Sequence, residues 1–190
     1  MANYMNCIIL NILIMIWTTF FSQTGSEIVQ LCEKIGRKPD NIITDNNDSS
    51  KWHPGLRNVT VIPKLSLKDS NVLRDLLGNS NNTLVTLHGW LHIIPEDICN
   101  EYNIYNGHPG LITAYPELKG KDPQARCWAN IKEYVVVGSV VHKVTPVVDD
   151  GKVLTHSYIQ ARECKSLEDT YEKLRKTSYD AWIQAFDVLL

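Results

Sequence analysis

Leu84-Val85-Thr86-Leu87-His88-Gly89-Trp90, then Pro95 and the segment Glu96 to Glu101, then Ile104-Tyr105-Asn106-Gly107-His108-Pro109-Gly110-Leu111: this run decides the fold class. Four apolar or β-branched residues ending at a polar turn read as a buried strand, since parallel central strands are continuous apolar runs. Proline suits a helix start, where its missing N–H costs nothing, so a helix is expected over Glu96 to Glu101. Ile104-Tyr105 then begins a second strand that delivers Asn106 and His108 at its end.

The same alternation extends outward. Upstream, a buried first strand is expected over Ile12 to Trp17, then a hydroxyl-rich loop from Thr18 to Ser26, then a helix over Glu27 to Ile35, stopped by Gly36 and Pro39. Asn41 to Thr44 and Val59 to Ile62 read as further strands, with a short helix at Leu73, Leu76 and Leu77. Downstream, Gln124 to Asn130 reads as helical, and Val135 to Val144 and Val153 to Ile159 as strands able to pair across a turn. The final stretch, Leu167 to Leu190, reads as one helix or two, with Tyr171, Leu174, Tyr179, Trp182 and Ile183 on its apolar face. The expected class is α/β, an open, mainly parallel sheet with helices on both faces. Ligands of such folds bind beyond the carboxyl ends of the strands.

Residues 1–190 suffice for one domain with a sizeable core, and residues 1–11 read as a disordered or strand-extending lead-in. A net charge of −2 gives no reason to expect nucleic-acid binding. Five cysteines (Cys7, Cys32, Cys99, Cys127, Cys164) lack metal-ligand spacing, so no metal is expected; their odd number fits a reducing compartment and a cytoplasmic location. The apolar run Cys7 to Trp17 has no basic residue before it and is shorter than the ~18 residues of a membrane span, so no membrane is expected.

The polar residues suggest a reaction. When an amine attacks a formyl carbon, an oxyanion and an ammonium form. An amide such as Asn106 and an imidazole such as His108 can donate hydrogen bonds to the oxyanion. A carboxylate can accept the proton, directly or through water, and Asp149-Asp150-Gly151 offers two. Taken alone, His142 inside its apolar run reads as a core histidine, and Asp149-Asp150-Gly151 as a solvated turn. Lys119-Gly120-Lys121 reads equally as an anion contact or a solvated loop.

Asn106-x-His108-Pro109-x-Leu111 followed by Val141-His142-x-Val144-Thr145-x-x-x-Asp149-x-Gly151 resembles the folate-dependent formyltransferase family. The departures are Gly110 in place of a small hydroxyl residue, Thr113 in place of proline and Asp150 in place of a frequent glycine. The resemblance implies a Rossmann-like formyltransferase fold, with 10-formyltetrahydrofolate as co-substrate and a small-molecule amine as acceptor. It implies Asn106, His108 and Asp149 as catalytic residues, His142 as their support, and folate contacts from Leu91, His92, Ile93, Ile94, Thr145, Val147 and Val148. Thr24, Gly25 and Ser26 stand where family members hold an acceptor phosphate. Phosphoribosylglycinamide, in purine biosynthesis, is the leading acceptor. An amino sugar nucleotide, with ring contacts from Trp52, Trp90 or Tyr115, a formate-releasing hydrolase and a non-catalytic folate-binding protein are the alternatives. Assembly as a monomer or a homodimer stays open.

Overall fold

The computed structural model describes residues 15–190. Seven strands form one sheet in the order β3-β2-β1-β4-β5-β6-β7. In chain order they are β1 (Ile16–Phe21), β2 (Asn41–Thr44), β3 (Val59–Val61), β4 (Thr83–His88), β5 (Asn103–His108), β6 (Val136–Lys143) and β7 (Val153–Gln160). The first five pair in parallel, while β5–β6 and β6–β7 pair antiparallel. Five helices connect or cover them: α1 (Ser26–Ile35), α2 (Ser70–Leu77), α3 (Glu96–Glu101), α4 (Pro123–Ala129) and α5 (Leu167–Leu189). The chain direction reverses across the sheet between β1 and β4. The crevice beyond those strand ends is where such sheets bind ligands.

The first strand lies further along the chain than expected. It runs Ile16–Phe21, so Thr18 to Phe21 belong to the sheet and the loop starts at Ser22; residues 1–14, including Cys7, lie outside the described region. Two fully buried threonines caused the shift. Their hydroxyls read as loop-like but are hydrogen-bonded within the sheet, Thr19 Oγ1 donating to the Thr86 carbonyl and Thr18 Oγ1 accepting from Asn41 Nδ2. β-branched side chains pack well on a pleated surface.

The last helix is continuous over 23 residues, and its buried face is rotated from the expected one. Thr170, Leu174, Thr177, Ser178, Ala181, Trp182, Ala185 and Phe186 face inward, whereas Tyr171 is exposed. Small residues on that face let α5 lie close to β6. There Ser139 Oγ donates to the Leu174 carbonyl at 2.8 Å and lies 2.8 Å from Thr177 Oγ1. One apolar cluster gathers Phe20, Ile43, Val85, Leu87, Ile94, Ile98 and Ile104 on one side of the sheet; another joins Trp17, Leu84 and Val141 to Trp182 and Phe186 of α5. Burying a large aliphatic or aromatic side chain contributes roughly 1.5–3 kcal/mol, so the two clusters clamp the strands whose ends carry the polar residues.

Thr86 is the buried polar hub of this core. The Trp17 indole donates to its Oγ1 at 2.9 Å, and His88 Nε2 lies 3.0 Å from the same atom. Thr86→Val keeps the shape but leaves a buried indole N–H unpaired, and should destabilise by about 1–3 kcal/mol. Urea denaturation of the two proteins measures the difference.

Candidate active site

β5 ends in Asn106-Gly107-His108, and the antiparallel register sets Asn106 opposite His142 and His108 opposite Val140 of β6. This pairing, not proximity in sequence, brings the two histidines together. Asp149 reaches them from the β6–β7 connection by adopting a left-handed backbone, φ 51°, a conformation that aspartate and asparagine tolerate better than most residues. Gly151 makes the turn possible: a Cβ there would sit 1.7 Å from the Lys143 carbonyl oxygen.

The resulting cluster is nearly closed to solvent. Asp149 Oδ2 lies 3.2 Å from His108 Nδ1 and Oδ1 lies 3.3 Å from His142 Nε2. The Gly120 amide donates to Oδ2 at 2.8 Å. Asn106 Nδ2 approaches His142 Nε2 at 3.4 Å. His108 and His142 are buried, and the Asp149 side chain is 9% exposed.

The outer nitrogens of both rings meet backbone carbonyls: His108 Nε2 donates to Leu118 O and His142 Nδ1 to Lys143 O, each at 2.9 Å. A carbonyl only accepts, so each ring carries its hydrogen on the outer nitrogen. When the rings are neutral, both inner nitrogens therefore face Asp149 as lone pairs. The space between the two rings and the carboxylate can hold one additional proton.

Burial is the largest influence on His108 and pulls its pKa below the ordinary 6.5, against the opposing pull of Asp149. Burial pushes the Asp149 carboxyl up. The His142 hydrogen bond, the His108 charge and the Gly120 amide outweigh it and leave the carboxyl below its ordinary 3.8.

The neighbouring carboxylate has a different setting. Asp150 is exposed and pairs with Lys119 at 2.5 Å. The Lys119-Gly120-Lys121 segment is tied to the cluster at two points. Lys119 holds Asp150, and the Gly120 amide frames Asp149. Gly110, the departure from the usual hydroxyl residue, lets the His108 ring and Leu118 close together, since a Cβ there would lie 3.1 Å from Leu118 Cβ and 3.3 Å from His108 Nε2.

A family profile described as "Formyl transferase" matches residues 55–186, more than half of the chain. The chain belongs to this family. It is 26% identical over 116 residues to phosphoribosylglycinamide formyltransferase of Dictyostelium discoideum; the match covers 58% of this chain and spans 56% of that relative's length. Solved structures share the fold. Phosphoribosylglycinamide formyltransferase from Anaplasma phagocytophilum has 18% identity, 93% and 87% coverage of this chain and that one, and a TM-score of 0.76. For the Campylobacter jejuni protein of the same name the values are 19%, 91% and 98%, and 0.76. A formyltetrahydrofolate deformylase from Pseudomonas syringae pv. tomato gives 15%, 88% and 58%, and 0.68.

In this chain, the segments expected to hold a folate present apolar side chains to solvent. Leu91, Ile93, Val147 and Val148 are between about half and three-quarters exposed. Two apolar segments left uncovered beside a polar cluster suit a flat ring with a polar edge. The segments are joined beneath the surface, because Trp90, Ile94 and Val144 share one core cluster. Ile94 itself is buried, so it supports this wall and does not form its surface. Thr145 Oγ1 donates to the Val147 carbonyl, shaping the second segment. His92 turns the other way, its Nε2 2.7 Å from the buried carboxylate of Asp45.

At the first loop, Gly25 caps α1 in a left-handed conformation with no side-chain cap, and Thr24 Oγ1 takes the Ser26 amide at 3.3 Å. Glu27 stands over the same helical turn. Sequence reasoning placed Glu27 at a helix start and His88 at a strand end without assigning their side chains, and did not reach Ser178; the three meet here through contacts 61 and 151 residues apart. Trp52 packs on Phe21, Trp90 on Phe20 and Tyr115 on Tyr134. Among the described residues, no helix is long and apolar enough to cross a membrane.

Both lowered pKa values mean that the folded protein binds these protons more weakly than the unfolded chain, so acid favours unfolding. The His108 contribution is intact above pH 6.5 and declines as pH falls through its lower folded value; that of Asp149 follows below 3.8. Urea midpoints measured from pH 7 down to 3 should fall in two stages, and His108→Gln should remove the first.

Proposed function

We propose that this chain transfers a formyl group from 10-formyltetrahydrofolate to a primary amine, with phosphoribosylglycinamide as acceptor, as a cytoplasmic step of purine biosynthesis. The observation that carries the chemistry is the convergence of Asn106, His108, His142 and Asp149 beside an uncovered apolar wall. The names of the relatives support the acceptor.

10-Formyltetrahydrofolate supplies the formyl group and leaves through a nitrogen that must gain a proton. Asn106 directs amide N–H groups toward the point where the oxyanion develops, a contact worth most in a closed site. Asp149, ionised and buried, orients the attacking group or a water and draws the ammonium proton into its shared space with His108 Nδ1. His108 is neutral at pH 7 because burial lowers it, so it can receive that proton and return it to the leaving nitrogen. Its Nε2–H, committed to Leu118 O, is the part of the ring that fixes its orientation. His142 holds Asn106 and Asp149 in register. Thr24, Gly25 and Ser26 form the acceptor side of the cleft, with Leu91, Ile93, Val147 and Val148 on the folate side.

The amino sugar alternative called for aromatic ring contacts from Trp52, Trp90 or Tyr115, and the packing of all three against core residues weighs against it. A hydrolase would use the same cluster with water in place of the amine. Mass spectrometry of reactions with and without phosphoribosylglycinamide separates the two. Formylated acceptor is expected, whereas formate released equally well without acceptor would overturn the transferase reading. In the same assay Asp149→Asn, which retains the left-handed turn, should lower kcat by roughly 10²–10⁴-fold. Asp150→Asn should stay near wild type, since an exposed ion pair contributes only about 0–1 kcal/mol.

A further inference from the structure

The segment Leu118 to Gly120 touches the cluster twice, and one side chain outside the cluster holds both points. Leu118 O receives the outer N–H of His108 at 2.9 Å, and the Gly120 amide donates to Asp149 Oδ2 at 2.8 Å. Arg126, in the middle of α4, directs its Nη2 at the same segment, 3.2 Å from Leu118 O and 2.7 Å from Lys119 O. A carbonyl oxygen has two lone pairs, so Leu118 can serve the imidazole and the guanidinium together. Among the described residues Arg126 is ion-paired with no carboxylate, and its side-chain hydrogen bonds go to these two carbonyls.

The contact at Lys119 matters most, because the Lys119 carbonyl and the Gly120 N–H belong to one peptide unit. That unit is planar and trans, so its oxygen and its hydrogen point in opposite directions. Arg126 stands at the oxygen and Asp149 at the hydrogen. A cation at the negative end and a carboxylate at the positive end align the peptide dipole, and each bond polarises the other. Sterics alone do not fix this plane. Gly120 has φ 84°, in the left-handed region, and no atom lies within 4 Å of where a Cβ would stand. Glycine moves readily between conformations, so without Arg126 the plane is free to rotate and carry the amide away from Asp149.

We propose, resting on the transferase reading, that Arg126 is a positioning residue for the reaction: by gripping the Leu118 and Lys119 carbonyls it fixes the His108 ring and aims the Gly120 amide at Asp149. Arginine suits the task, since its planar fork is pre-organised and always charged. That charge also reaches the imidazole. Burial is the main cause of the lowered His108 pKa, and the charges of His142 and Arg126 add to it against the pull of Asp149 and the Leu118 carbonyl. Arg126 does not line the cleft that Gly107 and Pro109 border, so its loss should register in turnover and not in acceptor binding.

Arg126→Met keeps an unbranched stem and removes both donated bonds. In NMR spectra of isotope-labelled protein the wild-type Gly120 amide proton should lie at low field, because its acceptor is a carboxylate. Arg126→Met should move that signal upfield and give His108 a mixture of ring tautomers, where the wild type carries Nε2–H alone. Steady-state kinetics with 10-formyltetrahydrofolate and phosphoribosylglycinamide should show kcat lowered on the order of ten- to a hundredfold, with the KM of both substrates nearly unchanged. A residue that only anchors α4 would leave the amide and ring signals in place, so unmoved signals overturn the assignment. A raised KM with kcat intact overturns it also, by making Arg126 a binding residue. Arg126→Lys keeps the charge but not the fork, and should recover part of kcat and part of the amide shift. Should Arg126→Met fail to fold, Arg126→Lys must show both changes in smaller degree, and wild-type values in it overturn the proposal. The signals are read without substrate, which separates the two readings. Absence of wild-type turnover overturns the transferase reading, whereas turnover with unmoved signals overturns the Arg126 assignment alone.

Discussion

The site depends on one buried carboxylate between two imidazoles. Asp149 would be costly to hold out of water alone, because an unpaired buried charge loses its hydration without replacement. Here the Gly120 amide replaces part of that hydration, and a proton held between the carboxylate and either imidazole replaces more. The same contacts tie the end of β5, the end of β6 and the loop at 118–120 to a single point. Pairing of β5 with β6 sets the separation of the two rings, and Gly151 lets the chain bring residue 149 back between them. The antiparallel end of the sheet thus sets one carboxylate between two rings.

The hydrogen-bond acceptors behind the histidines convert this clamp into a proton store. If either ring turned its hydrogen inward, Asp149 would gain an ordinary neutral partner and the cluster would be filled. The carbonyls of Leu118 and Lys143 prevent that by claiming the outer hydrogens. The inner space therefore has room for one proton, next to groups that can accept it and return it. Burial lowers His108 and so keeps this place open at neutral pH. Burial and pairing here serve the same end: the environment that makes the carboxylate a strong ion also keeps its neighbour able to accept.

Much of this was legible in the sequence, for definite physical reasons. Apolar runs marked β4 and β5, and the bounds of β2 and α3 fell where the residues suggested, because local patterns specify those elements. The convergence of Asn106, His108 and Asp149 followed from the family resemblance, whose spacing is tied to strand register and to one tight turn. β1 was misplaced because Thr18 and Thr19 place hydroxyls where a buried strand normally carries aliphatic groups. The face of α5 was rotated because its contact is made by threonine, serine and alanine, which carry little hydrophobic signal. The partners of Asp149 at Gly120, and the Glu27–His88–Ser178 group, depend on contacts between distant segments that no local pattern records.

The two carboxylates divide the electrostatic work according to their surroundings. Asp149 sits among groups that can exchange protons, largely shielded from solvent. Glu27 is held by the Ser178 hydroxyl and by the His88 ring, which is backed by Thr86 and Trp17. A carboxylate held by a strand and a helix at once braces the junction of α1, β4 and α5, whereas one set between two imidazoles shares its space with groups able to exchange a proton.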